Sequence, residues 1–195
     1  MNIKKFYKHK YWYKKTRVLL MRKYKKDYRL FSALLASTSP RFQVKRNYNT
    51  TLLIFNDYIK NKNSFLIYAV KNKKRFIKKY KLLPAHYNNI IRSLSHNFTN
   101  SKKLVLGGNK VNAFYNNIIG NYNHVTIDIW MLRYFKNKKS QCNLSEYRYY
   151  TRIIKKLSKK LKMQPCELQA VLWFKIRYQL NQKKDANFYQ YIQPV

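Results

Sequence analysis

The chain has 195 residues, 43 of them Lys or Arg against 6 Asp or Glu, a formal net charge of +37. A surplus of that size on one compact body repels itself and draws polyanions, so nucleic acid is the expected partner. At 46% hydrophobic and 17% aromatic residues with three Gly and four Pro, the composition excludes a disordered basic tail; no run approaches the roughly eighteen apolar residues that a bilayer span needs.

In chain order, residues 1–29 interleave cations and aromatics: Lys4, Lys5, Lys8, Lys10, Trp12, Lys14, Lys15, Arg17, Arg22, Lys23, Lys25 and Lys26 among Phe6, Tyr7, Tyr11 and Tyr13. Cations neutralise phosphates and aromatic faces stack on exposed bases, so this stretch reads as a nucleic-acid-binding extension of the body. Met1 to Lys15 has neither the small-residue and Ser content of a transit peptide nor the apolar centre of a secretory signal.

The body, 30–180, reads as consecutive helices. Tyr28 to Ala36 is apolar on one face, and Ser37-Thr38-Ser39-Pro40 reads as a breaker that caps the next helix. Phe42 to Ile59 carries Val44, Tyr48, Leu52, Phe55 and Ile59 at helical spacing, with Arg41, Lys45 and Arg46 as cations beside it. Ser64 to Lys74 is a shorter amphipathic piece, Lys73, Lys74 and Arg75 belong to a basic run, and Pro84 opens a helix through Ser95. Asn97 to Lys102 is a polar connector. Ser145 is read as the cap of a helix to about Lys162, with Tyr149, Ile153, Ile154, Leu157 and Leu161 inward and Lys155, Lys156, Lys159 and Lys160 outward. Gln164-Pro165-Cys166-Glu167 opens the next helix, and 181–195 is an aromatic tail. With no alternating strand pattern and no internal repeat, the expected fold is an all-α bundle. Cys142 and Cys166 are too few for a disulfide framework, a zinc site or an iron–sulfur cluster, so no metal and no cofactor are expected.

One segment carries chemistry. Leu104 to Arg133 runs through a glycine turn, a helix, a loop and an apolar stretch that holds Asp128, a rare acid in apolar company. It resembles the helix-hairpin-helix superfamily of base-excision DNA glycosylases, in which a Leu-Pro-Gly-x-Gly-x-Lys hairpin is followed by a Val-Asp-x-His-x-x-Arg pattern. Gly108, Lys110, Asp128 and Arg133 match it, with the family's eighteen-residue spacing from lysine to aspartate. Leu34-Leu35-Ala36-Ser37 stands where that superfamily has a leucine-serine-alanine turn. The segment is also similar to uncharacterised phage proteins, through Ser39-Pro40, Arg46-Asn47, Gly108 to Tyr115 and Val125 to Asp128; together the resemblances cover about 31–178. They imply a hairpin that grips a phosphate through backbone N–H groups at Gly107 and Gly108, Lys110 attacking the sugar C1′, and Asp128 assisting. Leu106 in place of the first hairpin glycine, Ile129-Trp130 in place of the pair with histidine, and the missing four-cysteine cluster depart from the pattern. The bland alternatives are a helix N-cap for Asp128 and a plain phosphate contact for Lys110.

Lys, Asn, Tyr, Ile and Phe abound while Gly, Ala and Pro are scarce, the bias of a translated AT-rich genome, whether of an organelle, a parasite or a phage. The expected function is that of a structural rRNA-binding protein of a mitochondrial ribosome, encoded in the organelle and working in the matrix. Its expected partners are ribosomal RNA and neighbouring ribosomal proteins, with no small-molecule substrate and no catalytic residue. The alternative is a DNA glycosylase or AP lyase with Lys110 and Asp128 as catalytic residues. A chromatin-like DNA-packaging protein is a third reading compatible with the helical core, and membrane-surface binding is weaker because the charges are not confined to one face of one amphipathic helix.

Overall fold

The computed structural model describes residues 3–99, 103–181 and 191–192, and among them every regular element is helical. A 3-10 turn at Ile3–His9 leads into α1 (Trp12–Tyr24), α2 (Tyr28–Thr38), α3 (Val44–Lys60), α4 (Lys62–Lys71), α5 (Lys73–Lys79) and α6 (Pro84–Leu94). After a long connector come α7 (Asn109–Ile119), α8 (Ile129–Tyr134), α9 (Leu144–Lys160) and α10 (Pro165–Gln179).

The centre is α2. Every residue from Leu30 to Thr38 is buried, the pattern of a helix enclosed on all sides, and α1, α3, α6 and α7 pack around it. Its polar residues are satisfied at short range: Ser32, Ser37 and Thr38 donate back to carbonyls four residues earlier, and Asn47 of α3 donates to the Leu35 carbonyl. Ser37 and Thr38 therefore close the helix from inside; they do not break it, and α3 starts later than the sequence suggested, at Val44. A second, smaller core of Val125, Ile127, Met131, Leu132, Ile154, Leu168 and Leu172 joins α8, α9 and α10.

The basic-aromatic N-terminus does not stand off as an extension. Phe6, Trp12, Tyr13 and Leu20 are buried in the main core, and the 3-10 turn packs against α10, where the His9 ring stacks on Phe174. Of the aromatics that looked free to stack on bases, Phe6, Trp12 and Tyr13 pack into the core, because burying rings outweighs exposing them to water, while Tyr11 stays exposed with the Lys10 ammonium over its ring. In the C-terminal stretch, Ile192 is buried and the Tyr191 ring lies 6.1 Å from Tyr48; the rest of that tail falls outside the described residues.

With so few glycines, lysines take the left-handed positions that end helices. Lys81, Lys136 and Lys162 have φ of 49°, 58° and 52°. In each case the next residue's N–H reaches back to a carbonyl five positions earlier, as in Leu82 to Ile77, Asn137 to Leu132 and Met163 to Ser158. At the other end of α9 the cap is Asn143, which accepts from Glu146 N–H while Glu146 accepts from Asn143 N–H; the expected cap Ser145 lies inside the helix. Tyr149, expected inward, is 57% exposed. Pro165 opens α10 as read from the sequence.

His86 caps α6 from within. Its ring is fully buried, Nδ1 accepting from Leu83 N–H at 3.3 Å and Nε2 donating to the Pro40 carbonyl at 2.8 Å, which fits the neutral imidazole. Burial, with Arg46 and Lys110 nearby, holds its pKa below the usual 6.5 despite the Pro40 bond. The unfolded chain then binds a proton that the native one refuses, so stability is level above about pH 7 and falls as pH drops below 6.5. Urea midpoints between pH 8 and pH 5 should decline, and His86→Gln should flatten part of that slope. His9 and His124, also shifted down chiefly by burial, add in the same direction.

Candidate nucleic-acid and lysine–aspartate site

The hairpin segment is held by α6. Asn89 of that helix donates to the Gly107 carbonyl at 3.0 Å and accepts from the Gly107 N–H at 2.7 Å, and Arg92 donates to the Val105 carbonyl at 3.1 Å. Asn112 accepts from Leu106 N–H at 3.3 Å, and the Leu106 side chain is buried. Of the two amides expected to grip phosphate, that of Gly107 is therefore already engaged within the protein. Gly108, at φ 84°, turns the chain into α7, whose first-turn N–H groups have no partner inside the helix.

At the other end of α7, Gly120 sits at φ 110° and Asn121 N–H bonds back to Asn116. A Cβ here would lie 2.8 Å from Arg17 Nη1. Gly120→Ala forces the left-handed backbone on a residue with a Cβ and pushes the Arg17 guanidinium aside, and a loss of about 1–2 kcal/mol in urea unfolding is expected. The same contact explains Arg17. Rather than facing solvent as a phosphate contact, it is partly buried against the α7 end, with its Nε buried and unpartnered and the Tyr28 and Tyr122 hydroxyls in its electrostatic surround.

From Gly120 the chain crosses to α8 through the buried residues Val125, Thr126 and Ile127. Tyr13 of α1 donates to Gln169 Oε1 of α10 at 2.8 Å and lies 3.1 Å from Thr126 Oγ1, and the Tyr147 hydroxyl of α9 lies 2.5 Å from the Val125 carbonyl oxygen. This locks the crossing so that Asp128 arrives at the start of α8. One of its oxygens accepts from Trp130 N–H and Met131 N–H, both at 3.0 Å, and the other accepts from Trp173 Nε1 at 2.8 Å. The Arg177 guanidinium lies over the Trp130 and Trp173 rings, 5.2 and 4.7 Å from their centroids. The N-cap reading of Asp128 is thus what the structure shows.

Lys110 stands in the first turn of α7. The residue keeps part of its exposure while its ammonium is deeply surrounded by protein, and burial pushes its pKa below the ordinary lysine value of 10.5, opposed by the charge of Asp128. The ion pairs within 4 Å among the described residues are Lys79–Asp57 and Lys139–Glu146, so Asp128 acts on Lys110 through space and leaves the amine free of a direct carboxylate bond. Lys110 and Asp128, eighteen residues apart, are thereby brought within electrostatic reach.

The remaining expected contacts are dispersed. Lys4, Lys5, Lys8, Lys14, Lys15, Arg22, Lys25, Lys26, Arg41, Lys45, Arg46, Lys73, Lys74 and Arg75 are exposed, and Lys10 and Lys23 partly so, on elements scattered from the N-terminal turn to α5. Gly107 and Gly108 are exposed at the hairpin. Trp12 is 7% exposed, packed on Tyr13 and Phe114, and has no free face for a base. Few acids offset these cations. Asp57 is bound to Tyr80 and Lys79, and Glu146 and Glu167 each accept an N–H at a helix start. Asn89, Arg92, Trp173 and His86 escaped sequence reasoning, since each acts across a sequence gap that only the fold closes.

A family model described as a family of unknown function (DUF7178) matches residues 5–180. The chain belongs to that family. Its match begins inside the basic-aromatic stretch, in keeping with the burial of Phe6, Trp12 and Tyr13 in the same core as the rest. No curated protein and no solved structure matches the chain.

Proposed function

We propose that the chain is a nucleic-acid-binding protein built on a helix-hairpin-helix glycosylase-like body, in which Lys110 forms a Schiff base at the sugar C1′ of an abasic or extruded nucleotide. The observation that carries this reading is Lys110 itself: an amine in a helix's first turn, buried so that its neutral form is favoured, with Asp128 near enough to act on it electrostatically and not ion-paired with it. At an abasic aldehyde the neutral amine adds to C1′, the resulting hydroxyl takes a proton from solvent and leaves as water, and a cationic imine remains. Asp128, fixed by three N–H donors, stabilises that cation without moving. Incubation with abasic DNA and borohydride tests the reading, because hydride reduces the imine to a stable amine and leaves a covalent adduct on a denaturing gel. A blank gel overturns it.

A second reading, a structural rRNA-binding protein of a mitochondrial ribosome, is favoured by the charge of +37 spread over the chain, which suits a permanent anionic scaffold better than a searching enzyme. The burial of Phe6, Trp12 and Tyr13 leaves Tyr11 as the exposed ring of the base-stacking arm on which that reading partly leaned. Co-sedimentation with ribosomal subunits that survives DNase and is lost with RNase supports it; protein left at the top of the gradient counts against it.

A further inference from the structure

The outer face of α9 is a row of cations. Arg148, Arg152, Lys155 and Lys159 are exposed and stand at i, i+4, i+7 and i+11, so at about 100° per residue they fall within roughly 60° of arc. At a rise of about 1.5 Å per residue the row is about 16 Å long. Lys156 and Lys160, also exposed, flank it on one side. Burial of Ile154 and Ser158 on the opposite face fixes the helix so that the row points outward. Glu146, the helix's own acid, is taken by Lys139 and by the Asn143 N–H, and among the described residues no ion pair within 4 Å involves the cations of this face. Such a row works against the helix that bears it. Arg148 and Arg152, Lys155 and Lys159, and Lys156 and Lys160 are like charges one turn apart, an arrangement that destabilises a helix in the absence of a counter-charge. Lys60, Lys62, Lys71 and Lys78 are equally exposed but lie on three separate helices and form no row. The α9 row also starts beside the candidate site: the hydroxyl of Tyr147, the neighbour of Arg148, lies 3.1 Å from the carbonyl oxygen of Asn109, which precedes Lys110.

We infer that the α9 row seats the phosphates of one strand of a DNA duplex, flanking the nucleotide at Lys110. The inference rests on the reading that the chain handles DNA. The match is one of charge and straightness. A duplex keeps its direction over far more than the length of α9, and each of its strands offers a phosphate per about 3.4 Å of axis, so in-line cations on a rigid helix find partners without bending either body. Contacts of this kind set the register and orientation of the duplex and carry no sequence information. A single strand is held differently, by a series of rings on which successive bases stack, and this face offers one exposed ring, Tyr149.

The test is equilibrium binding of intact DNA, which presents no aldehyde and so separates the outcome from the Schiff-base chemistry. The α9 variant carries Arg148→Gln, Arg152→Gln, Lys155→Gln and Lys159→Gln. The control carries Lys60→Gln, Lys62→Gln, Lys71→Gln and Lys78→Gln and has the same net charge. At about 0.1 M salt the α9 variant should bind a duplex of about 20 base pairs on the order of a hundredfold more weakly than the parent, with the slope of log affinity against log salt reduced by about two to four. The control should lose less than about tenfold, and one isolated strand of the duplex should lose less than about fivefold on the α9 variant. Gln keeps the helix propensity of the residues it replaces and removes their repulsion, so the free α9 variant should melt at or above the parent's Tm, which excludes unfolding as the cause. If it melts lower, the double variants Arg148→Gln with Arg152→Gln and Lys155→Gln with Lys159→Gln take its place, and each should carry about half of the loss. Equal losses in the α9 variant and the control overturn the inference and leave DNA binding itself intact. A loss on the single strand as large as on the duplex overturns the duplex assignment. A parent chain that binds neither form overturns the underlying reading as well.

Discussion

Lys110→Ala lowers the borohydride-trapped yield with abasic DNA by on the order of a hundredfold or more, while affinity for intact duplex changes little among so many other cations. Lys110→Arg gives the same loss with binding preserved, because a guanidinium keeps its charge but never supplies a neutral amine. Proteolytic mapping of the parent adduct should place it on Lys110 and not on the exposed lysines of the N-terminal turn. The pH profile carries the sharper test. Yield should rise with pH as the amine deprotonates and reach half its maximum below 10.5, the side to which burial moves it. Asp128 pulls the other way, so Asp128→Asn should shift the profile to still lower pH. That variant also turns an amide toward either Trp173 Nε1–H or the α8 amides, setting donor against donor, and should cost about 1–3 kcal/mol in stability. A profile that does not move in Asp128→Asn separates the aspartate from the amine and leaves it a helix cap only.

The helices were legible where short-range patterns decide them. Pro84 and Pro165 open helices as their fixed φ dictates, and the spacing of Ile154, Leu157 and Leu161 places one face of α9 inward. Sequence reading failed where a residue's fate depends on what lies across the fold. Trp12 and Lys14 look equivalent in a basic-aromatic run, yet one is a core side chain and the other faces solvent, a distinction made by Phe114 about a hundred residues away. Ser37 and Thr38 resemble a breaker because their hydroxyls compete for backbone bonds, but buried against α3 and α6 those same bonds extend the helix. At the candidate site, Lys110 and Asp128 were visible through their spacing. The shell that gives them a function was not: Asn89 fixing the hairpin, Trp173 on the free oxygen of Asp128 and His86 near Lys110 come from α6 and α10, with no local signal.

Deleting residues 1–24 should abolish cooperative folding. A solvated basic arm could be removed with a stability change within about 0.5 kcal/mol and a shallower salt dependence of nucleic-acid binding. Here the deletion strips Phe6, Trp12, Tyr13 and Leu20 from the core and uncovers Phe31, on which Tyr24 stacks with centroids 3.8 Å apart. Four large side chains at about 1.5–3 kcal/mol each approach the whole net stability of a domain this size. The loss of Tyr13 also leaves Gln169 and Thr126 without their hydroxyl partner at the crossing that delivers Asp128. Point variants divide the two roles of the segment. Leu20→Ala, at a fully buried position, should lower urea stability by about 2–5 kcal/mol with the salt slope unchanged. The double variant Lys14→Ala with Lys15→Ala, at exposed positions, should leave stability within about 0.5 kcal/mol and reduce the salt slope by roughly one to two. A truncated chain that melts as sharply as the parent would return the segment to the status of an arm, and with it the case for a permanent RNA scaffold would regain its strongest support.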